Sequence, residues 1–156
     1  MPLKIVDRTA AVIVVGLQIR TTPVSPDIPA LWPRFIERLP EVSHPLKDRA
    51  TYGVMQAVAG AAGRFDYLAG VGVEMAETVP DGMARVVLPG GLYAVFRYPL
   101  SGLAAGFAEI FGQLLPGSGY VQAPGPYFER YGDDFCPDDA GSPVEIWLPV
   151  AVPATT

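Results

Sequence analysis

Apolar residues along this chain alternate between two rhythms. "AAVIVVGLQIRTTP" (residues 10–23) is dense in β-branched residues and stops at Pro23, as a buried strand would. In the next segment, "SPDIPALWPRFIERLP", Leu31, Trp32, Phe35, Ile36 and Leu39 recur at helical spacing. Ser25 or Asp27 can cap this helix and Pro40 ends it. Pro29 suits a first turn, whereas Pro33 is expected to delay or kink the start. "EVSHPLKDRA" reads as a loop, and "TYGVMQAVAG" and "RFDYLAGVGVEMAE" as strands, the second softened by Gly70 and Gly72. A turn at "TVPDGM" leads into the short extended piece "ARVVLPGG".

The second half repeats that order. "LYAVFRYPL" is a strand. "SGLAAGFAEIFGQLLP" predicts a helix capped by Ser101 and ended by Pro116, with Phe107, Ile110, Phe111, Leu114 and Leu115 on one face. "YFERYG" and "VEIWLPVAV" are strands flanking the acidic loop "DDFCPDDAGSP", and the tail "PATT" is expected to fray. The helix ends "ERLP" and "QLLP" stand 76 positions apart, and Tyr52, Val54 and Gln56 stand 75 positions before Tyr127, Glu129 and Tyr131. Element order and spacing therefore predict an α+β domain. It is a tandem βαββ repeat with pseudo-two-fold symmetry, its units covering about 5–88 and 89–152 of one domain spanning 1–156. An antiparallel sheet is expected, with helices on one face and a ligand cleft on the other.

Strand parity then assigns faces. Val144, Ile146, Leu148 and Val150 share the face a helix should cover, and Glu145, Trp147 and Pro149 take the other. Tyr127, Glu129 and Tyr131 share one face of their strand, Phe128 and Arg130 the opposite one. Placing Phe128 under the helices puts Glu129 on the open face with Trp147, and leaves Arg130 awkwardly on the helix side. The open face then carries Tyr127, Tyr131, Trp147, Glu129 and, from the first half, Tyr52. A carboxylate among aromatic rings is a binding site in outline: tyrosine hydroxyls can keep it ionised, and an organic cation can pair with it and stack on the rings. The same pattern is also compatible with an edge-strand charge in water beside ordinary half-buried tyrosines. With Val54 opposite in the first unit, the cleft is electrically lopsided. Trp32 reads as core from its helical spacing and is retained as a sixth cleft candidate.

Composition narrows the chemistry. Half of the 156 residues are hydrophobic, enough for a sizeable core, and no apolar run reaches the length of a membrane span. The first residues carry no signal-peptide pattern, so a cytoplasmic location is expected. A net charge of −5 argues against direct nucleic-acid binding and favours cationic or neutral ligands. Cys136 stands alone, so no intrachain disulfide forms, and His44 alone does not make a metal site or a triad. The loop carrying Asp133, Asp134, Asp138 and Asp139 lacks calcium-loop spacing, and neither Gly90-Gly91 nor "GSGY" has the phosphate-loop context. No metal and no cofactor are expected.

Taken together, "PGGLYAVFRYPL", a helix ending "LLPGSGY", "YFERYG" and "VEIWLPV" resemble the GyrI-like, or effector-binding, domain family, with "IPALWPRFIERL" and "FDYLAGVGVE" fitting in the first half. The resemblance spans residues 10–150. It implies a tandem βαββ fold with a ligand cleft between halves, and it implies that Glu129 engages cationic aromatic ligands there. It places Trp147 where relatives usually carry another aromatic, and Ala108 and Leu115 where they often carry tryptophans. Members occur alone or behind DNA-binding modules in multidrug-responding bacterial regulators of the MerR and AraC types. Residues 1–9 are too few for such a module, so a stand-alone member is expected, acting on transcription, if at all, through another protein. The resemblance also leaves two other functions open. One is a hydrolase of electrophilic cyclopropane compounds, with Glu129 and Tyr131 or Tyr127 in acid–base roles. The other is a protein-interaction module of the gyrase-inhibitor type. An exposed edge strand permits a homodimer.

Overall fold

A computed structural model describes residues 4–22, 25–58, 60 and 63–153. The predicted strand end at Pro23 and the last three residues of the tail lie outside the described residues. The strands are β1 (Lys4–Arg8), β2 (Val12–Thr21), β3 (Thr51–Ala57), β4 (Phe65–Val73), β5 (Ala84–Leu88), β6 (Gly91–Pro99), β7 (Val121–Gln122), β8 (Tyr127–Tyr131) and β9 (Pro143–Ala151). Helix α1 spans Asp27–Arg38 and α2 spans Leu103–Glu109. Neither β1 nor β7 is expected from the sequence pattern; both are short and partly exposed, so they carry little periodicity.

Helix α1 forms where the apolar spacing predicts, burying Leu31 and Phe35, with the Ser25 hydroxyl accepting from the Asp27 amide at 3.1 Å. Pro33 neither delays nor ends it, since the helix runs through to Arg38. Burial of side chains such as these, worth about 1.5–3 kcal/mol each, offsets the hydrogen bond that an interior proline removes. Helix α2 is shorter than predicted. A tight turn at Leu100–Gly102 precedes it, so Ser101 makes no capping hydrogen bond, and its last turn widens into a π-turn over Ile110–Leu114. There the Leu115 amide bonds to the Ile110 carbonyl at 2.8 Å. The widened turn sends Ile110 into the core while Phe111 stays 40% exposed.

All strand pairings are antiparallel, in the order β1-β6-β9-β8-β3-β4-β2-β5, with β7 beside β9. The order is mirrored about the β8–β3 seam: β9 and β6 follow on one side, β4 and β2 on the other. Each helix covers its own half. α1 packs on Val15, Leu17, Tyr67, Ala69 and Val71, and α2 on Ala94, Phe96, Ile146 and Leu148. The opposite face bears no helix, yet Val14, Tyr52, Val54, Leu68, Leu88, Tyr93 and Phe128, from six strands, pack together there at no more than 1% exposure. Residues so widely spread across the sheet meet only if it curls around them, so both faces of the central strands are buried.

That second buried layer reverses one expectation. Cross-strand partners share a face, and Glu129 pairs with Ile146, while Phe128 pairs with Trp147. Phe128 therefore lies inside the curl with Trp147, and Glu129 lies on the helix-bearing face. Arg130 no longer has to sit beneath a helix; it reaches Asp48 at 3.1 Å and Glu145 at 3.5 Å. The register also corrects the strand correspondence. Glu129 faces Gly53 across the seam, whereas Val54 pairs with Phe128, so the first-half counterpart lies at the 76-residue spacing of the helix ends rather than at 75.

Candidate functional site

Between the two helices, over the seam, lies a cavity of about 590 Å³, within the usual range for small-molecule sites. The expected cleft on the face away from the helices is thus replaced by one on the helix face. Curling fills the other face with side chains, whereas α1 and α2, each held to its own half, leave a gap above β3 and β8. Ser25, Pro26, Ile28 and Pro29 come from the start of α1 and its approach. Leu103, Ala104, Phe107 and Ala108 come from α2 and Phe111 from the π-turn that follows it, and Met55, Phe65, Tyr67, Tyr127 and Glu129 form the floor. Ala108 is small enough to leave that wall open, and Leu115 does not line the cavity.

Glu129 is the one charged residue among the described residues lining this cavity, and it is 7% exposed. Two phenols hold it. The Tyr67 hydroxyl donates to Oε1 at 2.9 Å and the Tyr131 hydroxyl donates to the same oxygen at 2.8 Å. Trp32 backs the arrangement: its indole N–H donates to the Tyr67 hydroxyl at 3.0 Å, and its ring meets Tyr131 edge-on at 5.2 Å. Among the described residues no hydrogen bond reaches Oε2, and that atom is not sealed from solvent. Burial raises the carboxyl pKa above its ordinary value, while the Tyr131 and Tyr67 hydrogen bonds oppose that rise. The same burial, together with the neighbouring carboxylate, holds both phenols well above 10, so they stay protonated as donors.

A glycine makes this geometry possible. Tyr67 lies on β4, and its ring must cross β3 to reach β8. Gly53 is the β3 residue in between, paired with Ala69 on one side and Glu129 on the other. A Cβ there would overlap the Tyr67 hydroxyl and lie 2.6 Å from Glu129 Oε1. Tyr67 is the carboxylate partner that the sequence did not single out, and Phe107 and Phe111, expected only as a helix face, also line the cavity. The signal that could have found Tyr67 is an isolated glycine inside a strand, which marks close approach by something from a neighbour.

Of the six candidate residues, Glu129 and Tyr127 line the cavity. Tyr127 stands against α2, its ring 6.5 Å from Phe107 and 6.1 Å from Phe111. Tyr131 and Trp32 stand behind the carboxylate and are not among the lining residues, so Tyr131, nominated for acid–base work, does not border the space a guest would fill. Tyr52 and Trp147 lie inside the curl. Tyr52 packs on Phe128, and Trp147 stacks on Phe128 at 5.7 Å with the Arg8 guanidinium 5.1 Å from its ring centre. The indole N–H of Trp147 donates to Glu145 at 3.1 Å. Their alternation with Glu129 along paired strands puts them on the far side of the sheet. Trp147→Phe is accordingly expected to lower thermal stability and to change ligand affinity by less than about twofold, measured by melting and by calorimetric titration, as is usual for a site well separated from the change.

Among the described residues no group of histidine, cysteine or acidic side chains is arranged to hold a metal ion, Cys136 is an exposed free thiol, and no helix is long and apolar enough to cross a membrane.

Comparison with known proteins agrees with this architecture. The transcriptional regulator BrlR of Pseudomonas aeruginosa is 33% identical over 153 residues, covering 96% of this chain and 56% of BrlR, so the chain spans little more than half of that relative. The structure of SAV2435 bound to tetraphenylphosphonium superposes with a TM-score of 0.77 at 16% identity, covering 97% of this chain and 94% of that one. The EcmrR C-terminal domain superposes with a TM-score of 0.68 at 16% identity, over 97% of each chain. The family model for the GyrI-like small molecule binding domain matches residues 1–151. The chain belongs to the GyrI-like small-molecule-binding family.

Proposed function

We propose that this chain is a receptor for lipophilic, aromatic organic cations, and that Glu129 is their counter-ion. The observation that carries the reading is a buried carboxylate at the floor of a mostly apolar cavity, tied through one oxygen only among the described residues. Holding such a charge away from water costs several kcal/mol without a cationic partner. A guest cation recovers part of that cost, and Tyr127, Phe107 and Phe111 offer it ring surface worth about 0.5–2 kcal/mol each. The relative bound to tetraphenylphosphonium supports a ligand of this class. The part of BrlR that this chain matches is, on this reading, a ligand-sensing segment, and any effect here on transcription passes through a further protein or segment.

The test is a pH series of calorimetric titrations with tetraphenylphosphonium, whose charge does not titrate. The raised Glu129 pKa means that the folded protein holds this proton more tightly than the unfolded chain does. Its contribution to unliganded stability is therefore present below the ordinary glutamate value and is lost as pH rises through the raised one. Cation binding runs the other way, because it needs the ionised form. Affinity is expected to climb across that window and level off above it. A flat profile over the same range contradicts the assignment of Glu129 as counter-ion.

A further inference from the structure

We propose that the site is built for protonated amines, cations that carry an N–H, in preference to fully substituted cations of equal size and charge. This rests on the reading of Glu129 as counter-ion and adds to it. Both protein donors converge on Oε1, from Tyr131 at 2.8 Å and Tyr67 at 2.9 Å. Oε2 receives none among the described residues, yet it keeps accessible surface on a residue that lines the cavity. Two residues along the same strand face, the Tyr127 hydroxyl is likewise unsealed and without a hydrogen bond among the described residues. Burial raises the Tyr127 pKa and the Glu129 charge adds to that rise, so the hydroxyl stays protonated.

The floor therefore presents a carboxylate oxygen that can only accept and a phenol that can accept or donate. A spherical cation shielded by carbon meets the charge but satisfies neither group. An ammonium N–H pointed at Oε2 makes a charge-assisted hydrogen bond, about twice as strong as a neutral one. An amine with a second N–H, or with a nearby ether or carbonyl oxygen, can engage Tyr127 as well. The remaining walls, from Ile28 and Pro29 to Phe107 and Phe111, ask only for hydrocarbon and rings.

The experiment compares three probes of one shape by calorimetric titration of the full chain at a pH above the Glu129 transition. They are a diphenylalkyl dimethylamine, the trimethylammonium salt made from it by N-methylation, and the neutral all-carbon analogue ending in a tert-butyl group. The protonated amine is expected to bind roughly tenfold or more tightly than the trimethylammonium salt, and that ratio to collapse in Glu129→Gln. Tyr127→Phe, which keeps the ring, is expected to weaken a fourth probe, the same amine with an ether oxygen beside the nitrogen, more than the plain amine. Equal affinity for the two cations, both above the neutral probe, overturns this inference and leaves the counter-ion reading standing. Equal affinity for all three probes, or binding of neither cation, overturns the counter-ion reading and this inference with it.

Discussion

Glu129→Gln is expected to leave the protein folded, and at neutral pH at least as resistant to heat as the parent when no ligand is present, while removing most of the stabilisation that a lipophilic cation confers. Glutamine fills the same space, and its carbonyl oxygen can accept from Tyr67 and Tyr131 as Oε1 does. It brings no charge to desolvate, so the burial that raises the Glu129 pKa no longer works against the fold. The cation, in contrast, enters a cavity with no charged lining residue left among those described. Removing one partner of a buried charge pair costs about 2–5 kcal/mol, at least about thirtyfold in affinity. Melting curves with and without tetraphenylphosphonium read both effects. A variant that melts early without ligand makes the carboxylate a structural element. An undiminished ligand shift means that its charge is idle in binding.

Gly53→Ala is expected to damage both stability and binding. The added methyl group occupies the space of the Tyr67 hydroxyl and crowds Glu129 Oε1. Tyr67 is 1% exposed and bonded on both sides, to Trp32 and to Glu129, so any shift of its ring breaks those contacts. Overpacking of this kind costs about 1–3 kcal/mol, and the displaced phenol leaves Glu129 with Tyr131 alone. The carboxyl pKa then moves further up, because one of the two interactions opposing desolvation is gone. Cation binding should weaken most at the acidic end of the pH range. Gly112→Ala is the control, since a Cβ at that position meets nothing within 4 Å. Equal behaviour of the two variants in urea melts and titrations refutes the spacer role of Gly53.

Which residues share a strand face was legible in the sequence, and so was the helix-covered face of β9; which face of β8 meets the helices was not. Parity correctly separated Tyr127, Glu129 and Tyr131 from Phe128 and Arg130. The choice between faces then leaned on the premise that the apolar set goes under the helix, and that premise fails when the sheet curls and buries both sides. Phe128 and Ile146 are equally buried, on opposite faces. Arg130 carried the contrary signal, since a guanidinium has no place beneath a helix, and the structure gives it Asp48 and Glu145 at the rim instead. Tyr52 and Trp147 do lie on the face away from the helices, where parity put them; it was Glu129, with Tyr127 and Tyr131, that was assigned to that face and lies on the other. The helix ends, 76 positions apart, held the correct strand spacing as well, and Gly53 at that spacing from Glu129 marked the space through which Tyr67 passes. The π-turn that parts Ile110 from Phe111 left no trace in the apolar pattern, because a single widened turn displaces the helical rhythm only at its end.

A crystal structure of the full chain with tetraphenylphosphonium tests directly whether Glu129 is the counter-ion of a guest held between the helices. The phosphonium is expected between α1 and α2, with phenyl rings against Tyr127, Phe107 and Phe111 and its charged centre facing Glu129. A cation found on the opposite side of the sheet, beside Trp147 and Tyr52, or in the cavity with its charge turned away from an unchanged Glu129, contradicts that assignment.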